Sequence, residues 1–357
     1  MRKLLVTGAA GFIGSNFVYH WSDNHKLDKI IALDSLTYAG NKANLRGLID
    51  QGSIEFVEGS ICDLSLVKRL MVDHSIDTIV HFAAESHVDR SISGPDIFLQ
   101  TNITGTHNLL KMAREVWLDE CKVDDHLFHH VSTDEVYGSL KADEPAFDEA
   151  CQYAPNSPYA ASKAASDHLV RVYHKTYGLN VTTSNCSNNY GPYQFPEKLI
   201  PLCILNVLRG LPLPIYGDGK QVRDWLYVED HCRGIEQVIM KGTRGETYNI
   251  GGDNEWSNID LVKTLCSTID LHFESNESLN LAFPDCPSAN RRKSETLITY
   301  VDDRPGHDRR YAIDATKINE ELDFQLIEGF ESGLQKTVNW YINNSRWWNS
   351  ILDGSYQ

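Results

Sequence analysis

Tyr159 and Lys163 stand four residues apart in a stretch whose apolar spacing predicts a helix over 158–177, so both side chains emerge on one face. A phenol titrates at about 10, too high for a good base at neutral pH. A neighbouring ammonium favours phenolate and brings that value down. Such a pair can take the proton from an alcohol whose carbon is being oxidised. YxxxK is also common on helices, where a solvated pair is its ordinary meaning. Upstream, Thr133, Asp134 and Glu135 follow an apolar run. Adjacent carboxyls in a partly dry site drift apart in pKa, one remaining an acid and the other an ionised base. They suit a reaction that removes one proton and delivers another. In an extended chain the two carboxylates point to opposite faces. Both reach one substrate only if the backbone bends, and nearby Gly138 is compatible with a turn. Alone, the stretch reads equally well as a solvated acidic loop.

The elements that must position these groups follow from periodicity. Apolar runs at 3–6, 30–33, 54–57, 78–82 and 127–132 predict strands, and 12–21, 97–117 and 158–177 predict helices, with Pro158 tolerated in a first turn. Strands alternating with helices imply parallel pairing in a doubly wound sheet. Beyond about residue 186 Pro, Gly and Tyr become dense, marking loops and short elements. Runs at 222–228 and 247–250 look like strands rejoining the first sheet. The chain is read as α/β: a Rossmann-type doubly wound parallel sheet over 1–186, rejoined by 221–252, and a smaller, mixed α/β C-terminal substrate domain from 187–220 and 253–357. The smaller part is expected over the sheet's carboxyl edge, where open α/β sheets bind ligands.

Gly8, Gly11 and Gly14 form a GxxGxxG between the first strand and first helix. The spacing permits a tight turn and close backbone approach to a pyrophosphate at a helix N-terminus. Three glycines alone also fit a plain strand-to-helix turn. Asp34 ends the second strand, twenty residues past Gly14, where a carboxylate accepts from adenosine ribose hydroxyls and repels a 2′-phosphate. The expected cofactor is therefore NAD rather than NADP, and its positive nicotinamide ring, like the Lys163 ammonium, favours phenolate at Tyr159. Asp63, after the third strand, is read as either an adenine contact or a surface aspartate.

Bulk properties narrow the partners. A net charge of −16 over 357 residues argues against a nucleic-acid or anionic-membrane surface, since phosphate binding needs a basic face. Eight scattered cysteines show no CxxC pair and read as reduced thiols. No His/Cys cluster has metal-ligand spacing, so no metal is expected. No apolar stretch approaches the ~20 residues that span a bilayer, and the first residues reach glycine too soon for a signal peptide. A cytoplasmic location is expected.

The glycine spacing resembles that of extended short-chain dehydrogenases. Thr133-Asp134-Glu135 with Tyr159 and Lys163 resembles the signature of the dTDP-glucose 4,6-dehydratases. The likeness extends through LTYAGN at 36–41, AAESHVDRS at 83–91, NCSNNYGPY at 185–193, FPEKLIP at 195–201, RDWLYVEDH at 223–231 and DRPGHDRRY at 303–311. It is weakest over 271–299 and at the extreme C-terminus, and no catalytic position departs from the pattern. The resemblance implies that Tyr159 takes the 4-hydroxyl proton of a glucose unit, assisted by Thr133, as hydride passes from C4 to NAD. Glu135 then removes the C5 proton, Asp134 protonates the departing 6-hydroxyl, and hydride returns to C6. It places Gly8, Gly11, Phe12, Ile13, Gly14, Asp34, Leu36, Thr37, Asp63, Ala83, Ala84, Ser86, Thr101, Tyr159, Lys163 and Asn189 at the cofactor. Ser86, Thr133, Asn188, Glu197, Lys198, Leu199, Arg223, Asn258, Arg304 and His307 fall at the sugar nucleotide, with Pro214, Ile215 and Tyr216 around the pyrimidine. It also implies a homodimer through a four-helix bundle built from 97–117 and 159–177.

Residues 286–317 hold seven Lys/Arg against five Asp/Glu, a local reversal of the chain's acidity. The run Arg291-Arg292-Lys293 within them reads as a solvated face. The related 4-epimerases and UDP-sugar decarboxylases share the scaffold; an epimerase has no use for an acid/base pair at C5 and C6. A non-catalytic NAD-sensing protein has no use for the four charged and phenolic groups together. Discrimination of dTDP from UDP rests on one methyl, about 1–3 kcal/mol, and residue types do not decide it.

Overall fold

The computed structural model describes residues 1–303 and 308–356. Its strands are β1 (Lys3–Thr7), β2 (Lys29–Asp34), β3 (Glu55–Glu58), β4 (Thr78–His81), β5 (Leu127–Thr133) and β6 (Val181–Cys186) in the first half. The second half adds β7 (Asn188–Tyr190), β8 (Leu213–Tyr216), β9 (Val222–Tyr227), β10 (Thr247–Ile250), β11 (Glu255–Ser257), β12 (Ile298–Val301) and β13 (Arg310–Tyr311). The main sheet runs β3-β2-β1-β4-β5-β6-β10, parallel throughout. Alternation sends Leu4 and Val6 into the hydrophobic core on one face and Leu5 into that on the other. Helices cover both faces, so central strands are buried on both sides and read as continuous apolar runs. The strand order reverses between β1 and β4, and the crevice at that switch point is where such sheets take ligands.

One expectation needs correction. β10 does rejoin the main sheet, beside β6, but β9 does not. It pairs with β7, β11 and β13 in a second, four-stranded sheet. The β6 edge is occupied by β10, and β9 runs without a turn into the helix Val228–Lys241 that leads to β10. A third sheet joins β8 to β12. These two small sheets and the helices Leu199–Leu208, Asn258–Ser275 and Phe330–Asn343 share a separate core.

The helix Pro158–Tyr177 begins on Ser157, whose hydroxyl accepts from the Ala160 amide, and ends at Gly178 in the left-handed region at φ 74°. These are the stop and start signals that isolate a helix from its flanks. The 97–117 segment is helical but not uniform: Leu99–Gly105 and Arg114–Glu120 are π-helical turns flanking an α-helical centre. Among the described residues no helix is long and apolar enough to cross a membrane.

Candidate active site

The cavity at the switch point has a volume of about 490 Å³ and is lined by the ends of β2, β5 and β6 and by the loops that follow β1, β2, β3, β4 and β5. Its floor is the glycine turn. Gly8 sits at φ 69°, and a Cβ there would stand 2.6 Å from the Ala83 nitrogen; a Cβ on Gly14 would stand 2.1 Å from the Gly8 carbonyl oxygen. Only hydrogen fits at either place. The helix Phe12–Asn24 then starts at Gly11 with no side-chain cap and no acidic residue in its first turn. Its leading amides are left to an anion. Asp34 is buried, and its carboxylate accepts from the amides of Ala10 (2.9 Å) and Leu36 (2.8 Å). Burial raises its pKa against those hydrogen bonds. A carboxylate offers about four lone-pair sites on its two oxygens, so acceptor capacity for ribose hydroxyls remains beside these backbone bonds. These residues fit a dinucleotide.

At the end of β5 the chain does bend. Thr133 closes the strand, and Asp134–Tyr137 form a 3₁₀ turn that ends on Gly138 at φ 95°, ψ −157°. The Glu135 amide donates to Thr133 Oγ1 at 3.4 Å, and Thr133 Oγ1 donates to Asp134 Oδ1 at 3.3 Å. Thr133, Asp134 and Glu135 all line the cavity with Tyr159 and Lys163. Asp134 is 2% exposed. Burial, then the neighbouring Glu135 and Asp224 carboxylates, hold its pKa well above the usual carboxylate range, so it carries a proton. Its Oδ2 is buried without a hydrogen-bond partner.

Burial and then the Glu135 carboxylate push the Tyr159 pKa well up, opposed by a hydrogen bond from Thr133. The Lys163 ammonium donates to the Val131 carbonyl oxygen at 2.8 Å. Burial lowers the pKa of Lys163 itself to about 8. Phenolate at Tyr159 therefore needs a further positive charge in the cavity.

Of the cofactor residues expected from sequence, Gly8, Gly11, Phe12, Ile13, Gly14, Asp34, Thr37, Ala83, Ala84, Ser86, Thr101 and Asn189 line this cavity. Leu36 and Asp63 do not; Asp63 Oδ1 instead accepts from the Leu66 amide at 3.0 Å, capping the helix Leu64–Asp73. Asn188, Glu197 and Lys198 line it as well, Lys198 Nζ donating to the Ser86 carbonyl at 3.3 Å. Leu199, Pro214, Ile215, Tyr216, Arg223 and Asn258 lie outside its wall. Pro214, Ile215 and Tyr216 belong to β8, and Arg223 to β9, where its guanidinium packs 4.4 Å over the Tyr311 ring. Arg223 is near enough to lower the pKa of Asp134. The Asn258 side-chain oxygen is buried and unpartnered. Arg304 and His307 lie outside the described residues.

Sequence reasoning missed several groups. Tyr38 and Glu85 line the cavity, and Arg90 lies 3.7 Å over the Tyr38 ring while reaching Glu197 at 3.4 Å. Beneath the site, β5 buries His130 and Ser132 against Asp167. A polar stripe in a strand buried on both faces was the available signal.

Known proteins resemble this chain in both sequence and fold. The family model described as GDP-mannose 4,6 dehydratase matches residues 5–337. The dTDP-glucose 4,6-dehydratase of Neisseria meningitidis serogroup B is 53% identical over 360 residues, covering 100% of this chain and 98% of that one. A solved dTDP-glucose 4,6-dehydratase from Streptomyces venezuelae, with NAD bound, superposes with a TM-score of 0.86 at 45% identity over 98% of this chain and 99% of that one. The UDP-glucose 4-epimerase of Thermotoga maritima, solved with UDP-glucose, shares the fold at a TM-score of 0.80, with 28% identity over 96% of this chain and 99% of that one. In sequence and in fold, this chain belongs to the dTDP-glucose 4,6-dehydratase family.

Proposed function

We propose that this protein converts dTDP-glucose to dTDP-4-keto-6-deoxyglucose with NAD. The observation that carries the reading is the turn Asp134–Tyr137. It sets a carboxyl held protonated by burial beside a second carboxylate, in one cavity with Tyr159 and Lys163. NAD, held by Gly8, Gly11, Gly14 and Asp34, supplies a hydride acceptor at C4 and a hydride donor at C6 when bound. Tyr159 receives the O4 proton, with Thr133 hydrogen-bonded to the same oxygen. Glu135 takes the C5 proton, made acidic by the new 4-ketone, and Asp134 delivers its proton to the departing 6-hydroxyl. Each such transfer contributes roughly 10²–10⁴-fold.

Ser86, Asn188, Glu197, Lys198 and Leu199 form the sugar and phosphate side of this reading, with Arg223, Asn258, Arg304 and His307. Pro214, Ile215 and Tyr216 take the pyrimidine. The parts 187–220 and 253–357 act as the sugar-nucleotide domain. A homodimer follows from an apolar face. Ile97, Leu99, Val172 and Tyr177, on the segments proposed to pair, are between 42 and 51% exposed, and large exposed apolar side chains of this kind favour an interface. The setting is the cytoplasm.

Incubation of the enzyme with dTDP-glucose and NAD in deuterated water tests the assignment. A 4-keto-6-deoxy product carrying solvent deuterium at C5 is expected; a product with C6 unchanged, or a C4 epimer, overturns it. UDP-glucose in parallel measures the nucleotide preference.

A further inference from the structure

Tyr159, Lys163 and Asp167 occur at i, i+4 and i+8 of the helix Pro158–Tyr177, so the acid extends the same stripe by one more turn. β5 faces this stripe. Its period of two sets His130 and Ser132 on one side, both against Asp167. The Ser132 hydroxyl donates to Asp167 Oδ2 at 2.9 Å, and His130 Nε2 lies 3.1 Å from Oδ1. Tyr153 supplies a third hydrogen bond. With His130 Nδ1 unpartnered, the imidazole satisfies this arrangement by carrying its hydrogen on Nε2.

We infer that Asp167 is a positioning residue acting through Lys163, its clamped carboxylate keeping the neighbouring buried ammonium charged and in place. This rests on the dehydratase reading only for the value of that charge to Tyr159 and the cofactor. Lys163 is 4% exposed, and an ammonium so buried is tolerated only with a compensating charge. Its single hydrogen bond goes to the neutral Val131 carbonyl. After burial itself, the largest influence on its protonation is the Asp167 carboxylate. Asp167 in turn is pushed up to about 6 by burial and held down by Lys163, so it is ionised at neutral pH.

The other groups around this pair do not supply the negative charge. His130 and His81 are buried on the β5 and β4 side, their rings tilted with centroids 5.3 Å apart, and burial drives both pKa values down, leaving them neutral. Tyr153 and Tyr137 approach from the connection between β5 and the helix; burial drives both phenols up, so they are neutral too. The Cys186 thiol from β6 is likewise pushed up by burial. His168, next on the helix, packs on the Tyr153 ring at 5.5 Å.

The test is a titration of the NAD-loaded protein carrying ¹³Cε-lysine, with the Lys163 signal assigned by Lys163→Arg. The unsubstituted protein should show Lys163 titrating at about 8, with a second, smaller inflection at about 6 where Asp167 takes its proton. Asp167→Asn should move the Lys163 midpoint down by at least about one unit. The rate of bound-NAD reduction on mixing with dTDP-glucose should then fall about tenfold at pH 9 and about twofold at pH 7, as a shift of the alkaline limb requires. A purely structural role would change melting without moving either limb. An unmoved Lys163 midpoint in folded Asp167→Asn overturns the inference. So does absence of the inflection near 6 in the unsubstituted protein, which stands even if the variant fails to fold. The lysine titration involves no dehydration: a missing 4-keto-6-deoxy product defeats the functional reading alone, and an unmoved midpoint defeats this one alone.

Discussion

Gly138→Ala isolates the backbone bend that brings Asp134 and Glu135 to one substrate. At φ 95°, ψ −157° the position lies in a region essentially reserved for glycine, and a non-glycine residue there costs about 1–3 kcal/mol. The added Cβ would also stand 2.5 Å from the Ala154 carbonyl oxygen and 3.3 Å from Ala154 Cβ. Forcing atoms into packed backbone costs about another 1–3 kcal/mol. If the turn holds, the protein loses about 2–6 kcal/mol of stability. If it swings to relieve the contact, both carboxyls move, and a displacement of about 1 Å costs on the order of 10²-fold in rate. The two half-reactions separate these effects, because Tyr159 and Lys163 sit on a different element. Transient absorbance of reduced cofactor follows C4 oxidation, and deuterium entry at C5 follows elimination. Elimination should fall at least about tenfold further than oxidation, with melting lowered by several degrees. Unchanged melting with unchanged elimination refutes the reasoning. Equal loss of both half-reactions also refutes it, since the bend would then not be what aims the carboxyls.

Three further outcomes follow from the site. Glu135→Gln should retain C4 oxidation and accumulate reduced cofactor while product formation falls about 10²–10⁴-fold, read by the same absorbance alongside product analysis. Asp134→Asn should cost activity yet stabilise the fold at neutral and higher pH. The folded pKa of Asp134 lies above its unfolded value, so its contribution to stability is complete below about 4 and is lost as pH rises toward the folded pKa. Melting from pH 4 to 8 should accordingly decline less steeply in the variant. Val172→Glu, on the exposed apolar face of the helix Pro158–Tyr177, should reduce the solution mass from dimer to monomer in sedimentation experiments, with the monomer still folded.

Much of this architecture was legible in local spacing. The buried strands β1, β2 and β4 announce themselves as apolar runs because a parallel sheet covered on both faces leaves no polar side. The helix Pro158–Tyr177 is bracketed by its own cap and left-handed glycine. β9 misled because a six-residue strand sequence such as VRDWLY carries no record of which edge it will join; that depends on β10 already occupying the place beside β6. Asp63 Oδ1 caps the helix Leu64–Asp73, a partnership that the spacing after the third strand does not announce.

By itself the sequence determined the dinucleotide turn, the Tyr159–Lys163 helical pair and the nearness of Asp134 to Glu135, all of which are matters of covalent spacing within one or two turns. It could not determine protonation. Only the tertiary structure buries Asp134 beside Glu135 and Asp224 so that it keeps its proton. Only the tertiary structure places Lys163 against the Val131 carbonyl and encloses the Tyr159 phenol so that burial and Glu135 raise its pKa. The physical reason is that desolvation and through-space charge depend on which groups share a dry interior, and several of those groups come from strands and helices distant in the chain.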